Sequence, residues 1–395
     1  MKSLKKLLDQ LKPHFEEGGK FEKLHSTYDA FSTFLFVPGE VTPSRGAHIR
    51  DANDMKRAMF MVIVAMAPAL LFGVWNAGYQ HDLAFGLQSG LFQQFLFGLW
   101  RFLPLVIVSY VVGLGIEFGV AQARGHEVNE GFLVSGMLIP LIMPIDIPLW
   151  MVALATAFSV VFVKEIFGGT GMNIWNPALV ARAFIFFAYP TAISGDKVWV
   201  AGLQEGIKTV DGFSGATPLA VATSSITNGS TVDQLISGMP SFLDMFLGVI
   251  PGSIGETSTL AILLGAALLL FTGIASWRIM LSVFAGGAFM GLVFNLFGSN
   301  AYMEMPFWYH FVMGGFAFGA VFMTTDPVSA SQTNTGKWVY GFLIGILAVL
   351  IRVLNPAYPE GMMLAILFMN TMAPLIDHYV LEANAKRRLR RVAKV

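Results

Sequence analysis

Apolar residues run along this chain in unbroken blocks rather than in alternation with polar ones. Blocks of about 20 residues, enough for a helix to cross a ~30 Å hydrocarbon layer, fall near residues 57–77, 101–122, 132–146, 149–167, 176–192, 258–275, 277–297, 307–325, 338–354 and 361–380. A strand reading fails, because continuous apolar runs carry no period of two and open sheet edges cannot face lipid. The pattern predicts an all-α, polytopic integral membrane protein of about ten transmembrane helices. The blocks at 132–146 and 149–167 are the least regular, since Pro140, Pro144 and Pro148 interrupt them. One of the two is a candidate re-entrant segment.

The basic residues orient these spans. With the Lys-containing residues 1–57 inside, the even-numbered exits carry Arg124, Lys164, Arg278, Lys337 and the run Lys386–Arg391, while the odd-numbered loops carry almost none. Both termini are therefore expected on the cytoplasmic side. Residues 1–56 lack the charged, apolar and small-residue order of a secretory signal and read as a cytoplasmic arm. The remaining divisions are a first five-helix half at 57–192, an outer loop at 193–250, a second half at 251–382 and a basic tail at 383–395. The outer loop is rich in Gly, Ser and Thr, and connections so long are usually functional.

A short internal repeat supports the two halves. Asn176-Pro177-Ala178 recurs as Asn355-Pro356-Ala357, and Met143-x-x-Asp146 recurs as Met323-x-x-Asp326, both at an offset of about 180 residues. Five spans per half is odd, so the repeats would be inverted, with sites expected between them.

Composition sharpens the class. The chain is 55% hydrophobic and 13% charged with mean hydropathy +0.64, and its 25 basic and 25 acidic residues cancel. No global field points to nucleic acid. With no Cys there is no disulfide and no thiolate-held iron–sulfur cluster. The seven histidines show no zinc or haem spacing, no Walker A sequence occurs, and Gly113-x-Gly115-x-x-x-Gly119 lacks both the spacing and the preceding strand of a dinucleotide fingerprint. No metal site is expected.

Candidate chemistry lies in the outer loop and at a few polar positions within spans. In Asp211-Gly212-Phe213-Ser214-Gly215-Ala216-Thr217-Pro218, Ser214-Gly215 is turn chemistry and Pro218 stiffens the backbone after it, leaving the Thr217 hydroxyl on an ordered loop. On residues alone this is an ordinary turn. Asp211-Gly-x-Ser-Gly-Ala-Thr217, however, resembles the flavinylation motif of the B subunits of sodium-translocating NADH:quinone oxidoreductases and the related D subunits of Rnf complexes. The resemblance extends through Lys164–Gly171, Asn173, Asn176-Pro177-Ala178, Pro251–Glu256, Thr325–Ala330 and Asn355–Gly361, and covers essentially the whole chain. The Lys-rich arm and basic tail resemble the sodium pump's subunit more than the Rnf one.

That resemblance implies FMN joined through its phosphate to Thr217 by a separate flavin transferase, and a second, noncovalent flavin, riboflavin, near the cytoplasmic side. Asn173 and Asn176 stand there, and asparagine amides both donate and accept, as the polar edge of an isoalloxazine ring requires; turn formation is their default role. Pro251–Thr259 leads into the sixth span, where Ser253, Gly255 and Thr257 either cap that helix or meet the FMN phosphate. Arg182 would neutralise a carboxylate or a ligand.

Glu117 lies within the second span, where a carboxylate costs a few kcal/mol unless it faces a partner, a wet cavity or the headgroups. Gly113 shares its face, and Gly115 with Gly119 form a small-residue pair that suggests helix contact. By resemblance Glu117 is linked to sodium uptake, although the family's two adjacent glycines are here Gly113-Leu114. Asp377 near the end of the tenth span matches a second sodium-linked acid, or simply snorkels.

The resemblance thus implies a multi-pass redox subunit of the bacterial inner membrane. Electrons would pass from FMN by way of riboflavin to ubiquinone while Na+ moves outward, with NADH oxidation in a partner subunit and further FMN-carrying and membrane subunits alongside. It also implies that Phe31–Arg57 helps form the quinone site. The alternatives are an Rnf-type D subunit serving ferredoxin, and a non-redox transporter or channel on the same inverted repeat.

Overall fold

A computed structural model describes residues 2–16, 19–21, 25, 28, 32, 36 and 55–392, except 126–130, 206–208, 356–357 and 359. Among the described residues every regular element is helical. The short helix α1 (Lys2–Phe15) precedes the membrane region. The quinone-site expectation for Phe31–Arg57 lies almost wholly outside the described residues.

Among the described residues, five helices are long and apolar enough to cross a membrane: α2 (Met55–Phe85), α3 (Leu91–Arg124), α9 (Trp277–Phe297), α10 (Asn334–Leu354) and α11 (Gly361–Val392). They cover the expected first, second, seventh, ninth and tenth spans. α2 and α3 run well past the blocks read from hydropathy, because their outer turns carry Gln80, His81, Asp82, Gln93 and Gln94, which a sliding average ends on but a helix tolerates. α3 stops at Gly125, whose φ of 69° is the left-handed closing residue that lacks a Cβ penalty.

The other five blocks are shorter or broken. They comprise α4 (Phe132–Leu141), α5 (Leu149–Ser159) running on through a π-helical turn at Val160–Glu165, α6 (Pro177–Ala188), α8 (Thr259–Phe271), and a stretch in which Tyr309–Val312 and Phe316–Phe318 lead into a second π turn at Gly319–Met323. The expected single block at 132–146 ends early for a definite reason. Pro140 sits one residue before the end of α4, and the carbonyl of Leu141, orphaned there, accepts from the N–H of Gly255 at 2.8 Å. A loop from the second half thereby satisfies a helix end of the first, as irregular backbone inside a membrane protein requires.

The same loop, Pro251–Ser258, is walled in on several sides. A Cβ on Gly73 would strike the carbonyl of Ile254, and one on Gly315 would strike the Glu256 carboxylate. The α9–α10 seam is equally close: a Cβ on Gly286 would meet the Phe342 carbonyl and one on Gly345 the Val283 carbonyl. Such small-residue contacts let backbones approach where lipid supplies no hydrophobic drive. The pair expected in α3 does not belong to this class. Gly115 and Gly119 have nothing within reach of a Cβ, whereas Gly113, four residues from Glu117, packs against the Phe132 ring. Residues 113 and 117 share the buried face of α3, and 115 and 119 point the other way.

The long connection 189–258 is not a bare loop. It holds the helices Pro218–Asn228 (α7), Val232–Gly238 and Phe242–Leu247 and forms one end of the bundle, here the loop face. The C-terminal half of α11 marks the opposite end, the tail face.

Candidate functional site

At the loop face a cavity of about 450 Å³ opens between the 193–258 connection and the bundle. Thr217 stands on its wall as the N-cap of α7, its Oγ1 accepting from the N–H of Ala220 at 3.2 Å, with Pro218 at the first helical position. The residues before it form the turn that places it. Ser214 Oγ accepts from Ala216 N–H at 3.3 Å, and Gly215 has φ 70° with Asp196 and Leu203 where a Cβ would go. Only glycine suits that position. Asp211 is exposed and Gly212 has φ 89°; of the motif 211–217, Thr217 alone lines the cavity.

The segment leading into α8 divides its work. Ser258 caps α8, accepting from Ala261 N–H at 3.2 Å, so capping does not occupy the hydroxyls before it. Ser253 and Thr257 line the cavity; Ser253 Oγ donates to Glu256 at 2.6 Å, while Thr257 Oγ1 is buried without a partner among the described residues. Gly255 does not line it, and its N–H is committed to Leu141, which removes it as a phosphate contact. Phe186 and Trp199 supply aromatic wall.

Behind this cavity lies a buried ion cluster. Arg182, in the middle of α6 with a side chain only 2% exposed, donates to both oxygens of Glu256 at 2.9 and 3.0 Å, pairs with Glu360 and lies 5.8 Å from the centre of the Trp199 ring. The reading of Arg182 as the partner of a carboxylate is thus met twice. Glu256 and Glu360 also face the loop-face cavity. Arg352 of α10, fully buried, donates to the carbonyls of His310 and Met313 at 3.0 and 3.3 Å and lies over Phe316. A small space lined by Arg182, Arg352, Glu256 and Glu360, and closed by apolar side chains such as Leu179 and Met323, joins the four. Such charges inside a membrane bundle are costly unless paired, and they mark functional interiors.

A second cavity, of about 120 Å³, opens toward the tail face between the two halves. Lys164, Asn173 and Asn176 from one half and Thr325 and Asp326 from the other line it. Asn176 is the N-cap of α6, its Oδ1 accepting from Ala178 and Leu179 N–H at 3.0 and 3.3 Å, and Asn173 Nδ2 donates to the Trp175 carbonyl at 2.9 Å. The default turn role is therefore real for both. Each keeps one group uncommitted among the described residues, the Asn176 amide NH2 and the Asn173 amide oxygen, which together offer a donor and an acceptor.

Glu117 has the partner its depth demanded: Lys164 Nζ forms an ion pair with its Oε1, with both side chains at least 94% buried. The π turn at Val160–Glu165 presents that lysine inward, and its ammonium lies 5.9 Å from the Phe132 ring centre. Asp377 is no simple snorkelling acid. It accepts from Ser331 Oγ, the Gln332 and Thr333 N–H groups and Thr333 Oγ1 at 2.6–3.0 Å, bracing the turn that caps α10.

The sequence reading missed the roles of Glu256, Glu360 and Arg352. Their signal was present as isolated charges inside or beside apolar blocks, and it needed the packing to show that they converge.

Comparison with known proteins adds the lineage. Residues 42–386 match the NQR2, RnfD, RnfE family. The chain is 50% identical over 413 aligned positions to the B subunit of a Na(+)-translocating NADH-quinone reductase from Stutzerimonas stutzeri, covering 98% of this chain and 99% of the relative. It is 51% identical over 414 positions to the protein of that name from Chromohalobacter salexigens (99% and 97% covered), and 49% over 413 to that from Azotobacter vinelandii (98% and 99%). With a bundle of apolar helices, a threonine-bearing cavity at one end and full-length similarity on this scale, the chain belongs to the NQR2, RnfD, RnfE family.

Proposed function

We propose that this protein is the membrane redox subunit of a sodium-pumping NADH:quinone reductase, with FMN esterified to Thr217 and riboflavin held at Asn173 and Asn176. Bound flavins supply one-electron carriage between the outer cavity and the inner one, toward ubiquinone, and the chain supplies placement. NADH oxidation belongs to a partner subunit, and a flavin transferase installs the ester.

The observation that carries this reading is the setting of Thr217. A phosphate on its Oγ1 would sit at the N-terminus of α7, an 11-residue helix whose first N–H groups and dipole favour an anion. Thr257 Oγ1, buried and unpartnered on the same cavity, is a donor in want of an acceptor. Phe186 and Trp199 suit the faces of an aromatic ring, and about 450 Å³ lies within the range of ordinary ligand sites. The inner cavity fits by donor chemistry: the free Asn176 NH2 and Asn173 oxygen match a ring edge with alternating acceptors and donors. Its smaller volume admits the edge, and a whole ring requires the neighbouring Gly168–Gly171 turn, with φ of 115°, 97° and 89° at its three glycines, to yield.

The names of the relatives support sodium translocation and quinone reduction, and the positive-inside pattern supports an outer position for Thr217. The test is direct. Chain produced with an active flavin transferase and run on a denaturing gel is expected to fluoresce as flavin, and Thr217→Ala is expected to be dark. A dark parent band would favour a non-redox transporter on the same scaffold.

A further inference from the structure

Lys164 occupies two places at once. Its ammonium is the buried counter-ion of Glu117, and Lys164 is a lining residue of the inner cavity, whereas Glu117 is not. The lysine therefore stands between the acid and whatever fills that cavity. Its immediate neighbour Glu165 is also buried; Arg124 approaches it only to 3.9 Å, and Glu165 Oε2 has no hydrogen-bond partner among the described residues. Glu165 lies within electrostatic reach of Glu117. The group Glu117, Glu165, Lys164 and Arg124 is neutral as it stands and carries one negative charge when Lys164 leaves. That deficit matches one monovalent cation.

The geometry points to Lys164 as a tethered cation that competes with Na+ for the Glu117–Glu165 acid pair and is drawn off by negative charge in the inner cavity. This rests on the proposed function for the identity of that charge, an electron placed on the flavin held by Asn173 and Asn176. No bond is made or broken and no proton moves. With an electron on that flavin, the Lys164 ammonium would turn toward it on its four-carbon stem and a sodium ion would take the vacated place beside Glu117. One added electron is thus balanced by one added cation. A ligand shifts such an equilibrium only through its different affinity for the two positions, which is why the two binding events must be reciprocal.

The π turn gives independent support. Single π turns recur at functional sites, and here the turn ends on Lys164-Glu165, of which Lys164 pairs with Glu117 and Glu165 with Arg124. An ordinary structural ion pair has no need of a cavity on its far side.

The test uses the assembled membrane complex. Sodium NMR titration of the oxidised Lys164→Gln complex is expected to show Na+ binding tightened by about tenfold, within the usual range of coupling between two sites. In the parent, Na+ is expected to raise the midpoint potential of the noncovalent flavin, and this shift is expected to vanish in Lys164→Gln and persist in Lys164→Arg. Parent-like affinity and a parent-like shift in Lys164→Gln would overturn the inference and leave the lysine a structural counter-ion. Should that variant not assemble, the pair Glu117→Gln with Lys164→Gln removes both charges together and is expected to assemble without the Na+-dependent shift; a retained shift there overturns the inference as well. Absence of any extractable noncovalent flavin in the parent would instead defeat the proposed function, and the Na+ affinity of Lys164→Gln then still decides the competition.

Discussion

Replacing Arg182 with Gln removes the cation that pairs directly with two carboxylates, Glu256 and Glu360, inside the bundle. Arg182 is 2% exposed and Glu256 10% exposed at the side chain, and they share two hydrogen bonds at 2.9 and 3.0 Å. Breaking one side of a pair so buried typically costs about 3–5 kcal/mol, chiefly because the other charge is left uncompensated. Glu360 is 21% exposed and therefore partly screened, so its share is put at about 1 kcal/mol. The single variant is expected to lose about 4–6 kcal/mol, while Arg182→Gln combined with Glu256→Gln, which replaces the charges by neutral amides, recovers at least about 2 kcal/mol of that loss. Unfolding of the purified chain by titrated denaturing detergent, monitored by Trp fluorescence across the four forms of the cycle, measures both quantities. Additivity of the two single variants to within about 0.5 kcal/mol would refute the reasoning, since uncoupled residues behave that way.

Further outcomes are expected on the same structural grounds. Alanine at both Asn173 and Asn176 is expected to release riboflavin while leaving FMN on Thr217, measured by acid extraction beside in-gel fluorescence; some stability falls as well, because Asn176 caps α6. Gly345→Ala, whose Cβ would meet the Val283 carbonyl, is expected to cost about 1–3 kcal/mol in the same unfolding assay, whereas Gly115→Ala, with open space around it, is expected to be neutral or slightly stabilising. Asp377→Ala is expected to speed amide exchange at residues 331–337 by releasing the turn that caps α10; altered sodium response with unchanged exchange would assign the acid to ion handling instead.

The sequence made the class plain and some of the architecture obscure, for reasons that can be named. Hydropathy located all five long helices, because lipid demands a continuous apolar surface and that demand is written in composition. It read 132–146 as one block, since an average over residue types does not register that the Leu141 carbonyl needs a donor 114 positions downstream at Gly255. The small-residue pair Gly115–Gly119 was legible as spacing and misleading as contact, because spacing fixes a helix face and not the neighbour it meets. At the candidate site, Thr217 was recognisable from a local motif whose turn geometry is itself local. Glu117 was recognisable as an acid in need of a partner. That the partner is Lys164, and that Lys164 also walls a cavity, depends on a π turn that no period in the sequence announces.

Intact-mass spectrometry of the subunit purified from cells with an active flavin transferase tests the account most directly. A mass increased by one esterified FMN, mapped by fragmentation to the peptide containing Thr217 and abolished by Thr217→Ala, is the predicted result. An unmodified mass with that peptide bare, under conditions in which the transferase labels a control substrate, would contradict it.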